Sequence, residues 1–266
     1  MNEEFRDKVV LLTGGGGNIA RTTALDFARA GAKLVLCDLN VQKADAVCRE
    51  IRELGGEASA IAVDVTQYRE AAAVVDAVIQ KYGKIDILIT AAGGSTREKM
   101  CYFVDQDISV IENNIDINLY GQLYFAHAAV PYMVERRQGR IIFVTSVVGI
   151  QGNRGYAEYS AAKGGVTVLA KSLAMELGEF DITVNCVSPA FVDRNNRDTS
   201  NVQFIRRSET PEDISNVITF LASSKSGFIT GQNYVVDGGW GLGVQSNTAP
   251  ARYQFEKYNR EKYFNH

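Results

Sequence analysis

Lys8-Val-Val-Leu-Leu-Thr13-Gly14-Gly-Gly-Gly17-Asn18-Ile19-Ala20 runs from an apolar stretch straight into four consecutive glycines. Lys8–Thr13 reads as a buried strand. Ala20–Ala30 places apolar residues at helical spacing, and Gly31 follows as a stop signal. A glycine turn between a strand and a helix lets the backbone approach a pyrophosphate, which then sits at the helix N-terminus. Gly14, Gly17, Asn18 and Ile19 are the candidate contacts of such a turn. A glycine turn alone is a weak signal, so the surrounding chain decides the fold.

Outward from that turn, strand and helix patterns alternate. Leu34–Cys37, Ala58–Val63, Ile85–Thr90, Arg140–Thr145, Thr183–Val187 and Asn233–Val236 read as further strands. Helical patterns cover Val41–Leu54, Tyr68–Tyr82, Ile108–Arg137 with a break near Asn118, and Ala157–Leu177. A last helix opens with Thr210 as N-cap and Pro211 at its first position, and runs to Ala222. The expected fold is α/β: a Rossmann-like, doubly wound, parallel seven-stranded sheet in a single domain. That domain covers residues 1–243, with residues 193–210 as a substrate loop and residues 244–266 as a C-terminal extension.

The chain has 266 residues, 46% of them hydrophobic, and a formal net charge of −3. The charge gives no footprint for nucleic acid, which needs a basic patch. No apolar run reaches the roughly 20 residues of a membrane span. Met1–Lys8 is polar and lacks a signal-peptide pattern, so a cytoplasmic protein is expected. Cys37, Cys48, Cys101 and Cys186 form no CxxC pair and read as free thiols in a reducing compartment. His127 and His266 are far apart, no metal-ligand spacing occurs, and His127 reads as structural.

Ligands of open α/β sheets bind beyond the carboxyl ends of the strands. Asp38 closes the second strand, 24 residues after Gly14. A carboxylate there accepts hydrogen bonds from ribose hydroxyls and repels a 2′-phosphate. Leu39 follows it, and neither that position nor the glycine turn offers an Arg or Lys to welcome the phosphate. NAD is therefore expected over NADP. Asp64-Val65 ends the third strand. Ala91-Ala92-Gly93-Gly94 ends the fourth, where small residues leave room for adenosine and ribose.

Ser146 follows the fifth strand, Tyr159 stands thirteen residues later, and Lys163 four beyond that. The i, i+4 spacing puts Tyr159 and Lys163 on one helix face. A tyrosine, with an ordinary pKa near 10, is a poor base at neutral pH, and a neighbouring ammonium favours its phenolate. Ser146 then holds the substrate oxygen while Tyr159 exchanges its proton. Lys163 also suits nicotinamide-ribose hydroxyls.

Across residues 5–241 the chain resembles the short-chain dehydrogenase/reductase family. The matching elements are the Thr13–Ala20 turn, Asp64, Ala91–Gly93, Asn118-Leu-Tyr-Gly121, Ser146, Tyr159-Ser-Ala-Ala-Lys163 and Asn185 with Ser188-Pro189. Thr230-Gly231-Gln232 leading to Val236-Asp237-Gly238-Gly239 completes the set. The resemblance implies a tetrad of Asn118, Ser146, Tyr159 and Lys163, with a water held by Asn118 relaying protons from Lys163. It implies nicotinamide contacts from Pro189, Ala190 and Val192, and a homodimer or homotetramer. The chain departs from the family at Asn18 and Ala20, where glycines are usual. Asn18 is expected to tolerate left-handed backbone angles. Thr90-Ala91-Ala92-Gly93 replaces Asn-Asn-Ala-Gly, Pro189-Ala190 replaces Pro-Gly, and Arg194 falls where a threonine often meets the cofactor amide.

On the substrate side, Gly94, Ser146, Val148, Tyr159 and Arg194 are the candidates. Arg194 or Arg197 suits a carboxylate or phosphate on the substrate. The aromatic tail, Tyr253 to Phe264, is expected to pack on a neighbouring subunit. The leading function is NAD-dependent interconversion of a secondary alcohol and a ketone, on a polyol, a sugar or sugar acid, or a hydroxy acid, with cyclic alcohols open. The alternatives are a noncatalytic NAD-binding sensor or scaffold, and an NAD-assisted epimerase.

Overall fold

A computed structural model describes residues 4–95, 99, 101–192, 198–200 and 203–242. Seven parallel strands form one sheet in the order β3-β2-β1-β4-β5-β6-β7. They are β1 Val9–Thr13, β2 Lys33–Asp38, β3 Glu57–Ala62, β4 Ile87–Thr90, β5 Gly139–Val144, β6 Ile182–Pro189 and β7 Asn233–Val236. The chain winds outward from β1 to β3, then returns to place β4 on the other side of β1. The switch point between β1 and β4 is where a crevice opens at the strand ends. Both flanking turns, Gly14–Gly17 and Ala91–Gly94, lie there.

Side chains of a strand alternate between its two faces. In β1, Val9 and Leu11 join the core beneath α3 (Tyr68–Tyr82), α5 (Gly121–Arg136) and α7 (Ala157–Leu177). Val10 and Leu12 join the core beneath α1 (Asn18–Arg29), α2 (Val41–Glu53) and α8 (Pro211–Ala222). Burial on both faces explains why the central strands read as continuous apolar runs. The edge strands depart from that expectation. β3 pairs with β2 alone, and in Glu57–Ala62 only Ala58 is buried. β7, at the other edge, has no fully buried residue.

Local details refine the sequence pattern. Helix α1 begins at Asn18 rather than Ala20, because Gly17 in extended conformation is its N-cap. The left-handed angle falls on Gly14, at φ +70°, and Asn18 does not need one. The stretch Ile108–Arg137 breaks at Asn118 as expected, into α4 (Ile108–Ile115), a π-helical turn (Asp116–Tyr120) and α5. A short helix not anticipated, α6 (Val148–Gln151), follows Ser146. The Thr210 cap forms as expected: its hydroxyl and the Asp213 carboxylate cap each other's backbone amides.

Among the described residues no helix is long and apolar enough to cross a membrane, and no His/Cys/Asp/Glu group could hold a metal. Cys37, Cys48 and Cys186 are buried free thiols, and Cys101 is half-buried. Burial pushes the Cys48 thiol up to about 11 and that of Cys186 to about 12, so both stay protonated and inert. His127 is exposed and pairs with the Tyr68 hydroxyl at 3.0 Å.

Candidate active site

The glycine turn is tight by construction. A Cβ on Gly14 would lie 2.8 Å from the Ala92 backbone, and one on Gly16 would lie 2.5 Å from Lys43 Cβ. The turn delivers the chain directly to the N-terminus of α1, the kind of site a pyrophosphate prefers. Asp38 folds back onto it: Oδ2 accepts the Gly16 amide at 2.9 Å and Oδ1 accepts the Asn40 amide at 2.8 Å. Its carboxylate is thus fixed at the end of β2, with lone pairs left for ribose hydroxyls. Leu39 beside it is 77% exposed.

Asp64 Oδ1 accepts the amide and hydroxyl of Thr66, turning the chain into α3. Val65 lies mostly in the core and packs where Gly121 leaves space. The Thr13 hydroxyl accepts the Ala91 and Ala92 amides at 3.2 and 3.1 Å, tying the β1 turn to the β4 turn. The small residues Ala91, Gly93 and Gly94, with Ile19 of the α1 N-terminus, fit a nicotinamide dinucleotide.

The same residues border a cleft. Ile19, Ala91, Gly93 and Gly94 line it together with Ser146, Tyr159 and Lys163. Pro189, Ala190 and Val192 also line it, as do Val148, Tyr156, Phe191 and Trp240. Ser146, Tyr159 and Lys163 thus meet, although they come from a loop and from two turns of α7. The loop is held from behind. The Thr145 amide donates to Val187 O at 2.8 Å, its hydroxyl pairs with Ser188 at 2.6 Å, and the Val147 amide donates to Pro189 O at 3.0 Å. Lys163 is 3% exposed, and its ammonium donates to Val144 O at 3.0 Å. Burying an ammonium is costly without such partners.

Asn118 stands behind the cleft rather than in its lining. Its Oδ1 accepts the Gly94 amide at 3.0 Å, and its Nδ2 donates to Gly94 O and Asn114 O at 3.2 and 3.0 Å. Asn118 lies at the centre of the π-helical turn, a distortion often found at functional sites. Gly93 has to be glycine: its φ is +137°, and a Cβ would lie 2.4 Å from Asn118 Oδ1.

Several residues of the site were not foreseen. Gln122 is buried, accepts the Thr90 hydroxyl at 2.9 Å and donates to Asn118 O at 3.1 Å. It joins Thr90 of β4 to the π-helical turn. The signal was present: an amide one turn after Asn118 in an apolar helix. Tyr156, Phe191 and Trp240 add an aromatic part to the lining, and none of the three was singled out by the sequence. Arg194 and Arg197, the rest of residues 193–197, and the aromatic tail lie outside the described residues.

Residues 16–241 match a family model described as enoyl-(acyl carrier protein) reductase. The 3-oxoacyl-[acyl-carrier-protein] reductase FabG of Thermotoga maritima is 35% identical over 241 residues, covering 87% of this chain and 97% of that protein. The cyclohexanol dehydrogenase of an Acinetobacter species is 32% identical, covering 90% and 97%. A solved NAD+-bound xylitol dehydrogenase superposes with TM-score 0.84 at 28% identity, covering 89% of this chain and all of that one. The protein belongs to the short-chain dehydrogenase/reductase family. It is an oxidoreductase acting between ketones and alcohols.

Proposed function

We propose that this protein interconverts a secondary alcohol and a ketone with NAD(H), using Asn118, Ser146, Tyr159 and Lys163. The observation that carries this is the meeting of Ser146, Tyr159 and Lys163 in one cleft that Ile19, just after the glycine turn, also lines. A bound nicotinamide dinucleotide supplies or accepts the hydride. Ser146 orients the substrate oxygen by hydrogen bond. Tyr159 gives that oxygen a proton during reduction and removes it during oxidation. Lys163, anchored on Val144 O, keeps a positive charge beside the Tyr159 ring, 5.9 Å from its centroid. Asn118 holds the Gly93–Gly94 floor in place. Asp38 supports NAD as the cofactor: its fixed carboxylate favours free ribose hydroxyls, as does the NAD+ named with the xylitol dehydrogenase.

The substrate is proposed to be a polyol, a sugar or sugar acid, or a hydroxy acid. The similarity to xylitol dehydrogenase supports a polyol. A cyclic alcohol is favoured instead by one observation. Val147, Val148 and Trp240 form a buried apolar cluster with Phe191 packed on it, facing the place where the substrate would lie. A homodimer or homotetramer in the cytoplasm completes the proposal, and size-exclusion chromatography with light scattering reads the assembly. The test is turnover of NAD with a panel of polyols, sugar acids, hydroxy acids and cyclic alcohols, with product analysis. A ketone product supports oxidation. An inverted alcohol without net NADH identifies an epimerase, and no turnover of any class overturns the proposal.

A further inference from the structure

Glu209 stands immediately before the Thr210 cap of α8 and has no part in the chemistry above. It is 4% exposed. Its Oε2 accepts the Phe191 amide at 2.7 Å and the Ala190 amide at 3.1 Å, and Oε1 reaches the Ala190 amide at 3.2 Å. Its backbone forms a parallel bridge with Val192. One residue thus holds all three positions after Pro189. Phe191 in turn packs edge-on against Trp240, with centroids 5.0 Å apart and planes at 89°.

The surroundings of Glu209 are acidic. Asp213 of α8 and Asp237 after β7 both act on it. Asp237 is committed to the Gly239 and Gly241 amides. Among the described residues, Arg207 has a charge that couples to Glu209, and it is paired with Asp213. Burial, reinforced by the two acids, pushes the Glu209 carboxyl up to about 7 despite the two amides.

We propose that Glu209 is a positioning residue: its carboxylate sets the substrate-side wall of the cleft through Phe191 and Trp240, and the wall loosens when the carboxylate takes a proton. A carboxylate offers only acceptors to the two amides, whereas a protonated carboxyl turns one oxygen into a donor. The proposal rests on the assignment of the cleft as the substrate site.

Trp240 is the single tryptophan of the chain, so its emission, excited at the red edge, reports this wall directly. The measurement needs neither cofactor nor substrate, which separates its outcome from that of the proposed function. The expected result for the intact protein is one step in Trp240 emission centred near pH 7. Glu209→Gln is expected to abolish the step. In turnover, the same variant should raise KM for the alcohol roughly tenfold, as for one lost charge-assisted hydrogen bond. Should Glu209→Gln fail to fold, Phe191→Leu keeps the acid but removes the ring that couples it to Trp240, and the step should shrink. No step in the intact protein, or a step that persists in Glu209→Gln or at full size in Phe191→Leu, overturns the proposal.

Discussion

In the proposed reaction, Tyr159 and Lys163 divide one task between a proton carrier and a fixed charge. Tyr159→Phe keeps the ring and removes the proton, so kcat should fall by about 10²–10⁴ while NADH still binds. Stopped-flow turnover with equilibrium titration reads both quantities. Asp38→Ala removes the ribose acceptor and also frees the Gly16 and Asn40 amides. NADH affinity should weaken by tenfold or more, and discrimination against NADPH should collapse. Isothermal titration with both nucleotides checks this. Glu209 bears on stability as well. Its folded value, about 7, exceeds the ordinary 4.5, so the native state holds a proton that the unfolded chain releases. Its contribution is therefore fully present below the ordinary value and is lost as pH rises through about 7. That loss is on the order of 3 kcal/mol at most, at about 1.4 kcal/mol per pK unit. The Tm of Glu209→Gln should gain on that of the intact protein as pH climbs through this window. A constant difference between the two proteins contradicts the assignment.

At the scale of elements, the π-helical turn and the two strand-end turns act as one unit. Asn118 grips Gly94, Gln122 grips the Asn118 carbonyl and Thr90, and Thr13 grips Ala91 and Ala92. Gly93→Ala forces a side chain into a left-handed backbone and onto Asn118, so it should cost stability and abolish turnover together. Gln122→Leu leaves the Thr90 hydroxyl unpaired in the core and should cost about 1–3 kcal/mol in denaturant unfolding. These ties mark where the sequence stopped being readable. Tyr159, Lys163 and Ser146 were legible because their spacing is local and their chemistry distinctive. The glycine turn was legible because it joins two periodic patterns. Gln122 and Glu209 were not, because each acts across the chain: Gln122 reaches 32 residues back to Thr90, and Glu209 reaches 19 back to Ala190. The start of α1 was read two residues late, at Ala20, because Gly17 rather than a polar side chain caps it.

Over the whole molecule, topology brings the parts together. The return of the chain to β4 sets the Ala91–Gly94 turn beside the glycine turn, and β5 and β6 bring Ser146 and Pro189 to the same cleft. The strand count and the parallel sheet followed from the alternation of patterns, but the half-exposed edges β3 and β7 did not, because edge position is a property of strand order. One cleft thus takes residues from the ends of β4, β5 and β6 together with Ile19 of α1, and the proposed function depends on that convergence. The most direct test is NAD reduction by purified protein across the alcohol panel, run beside Tyr159→Phe. The account predicts that both proteins bind NADH more tightly than NADPH, and that only the intact protein forms NADH and ketone in equal amounts. Turnover undiminished in Tyr159→Phe, or tighter binding of NADPH, would contradict it.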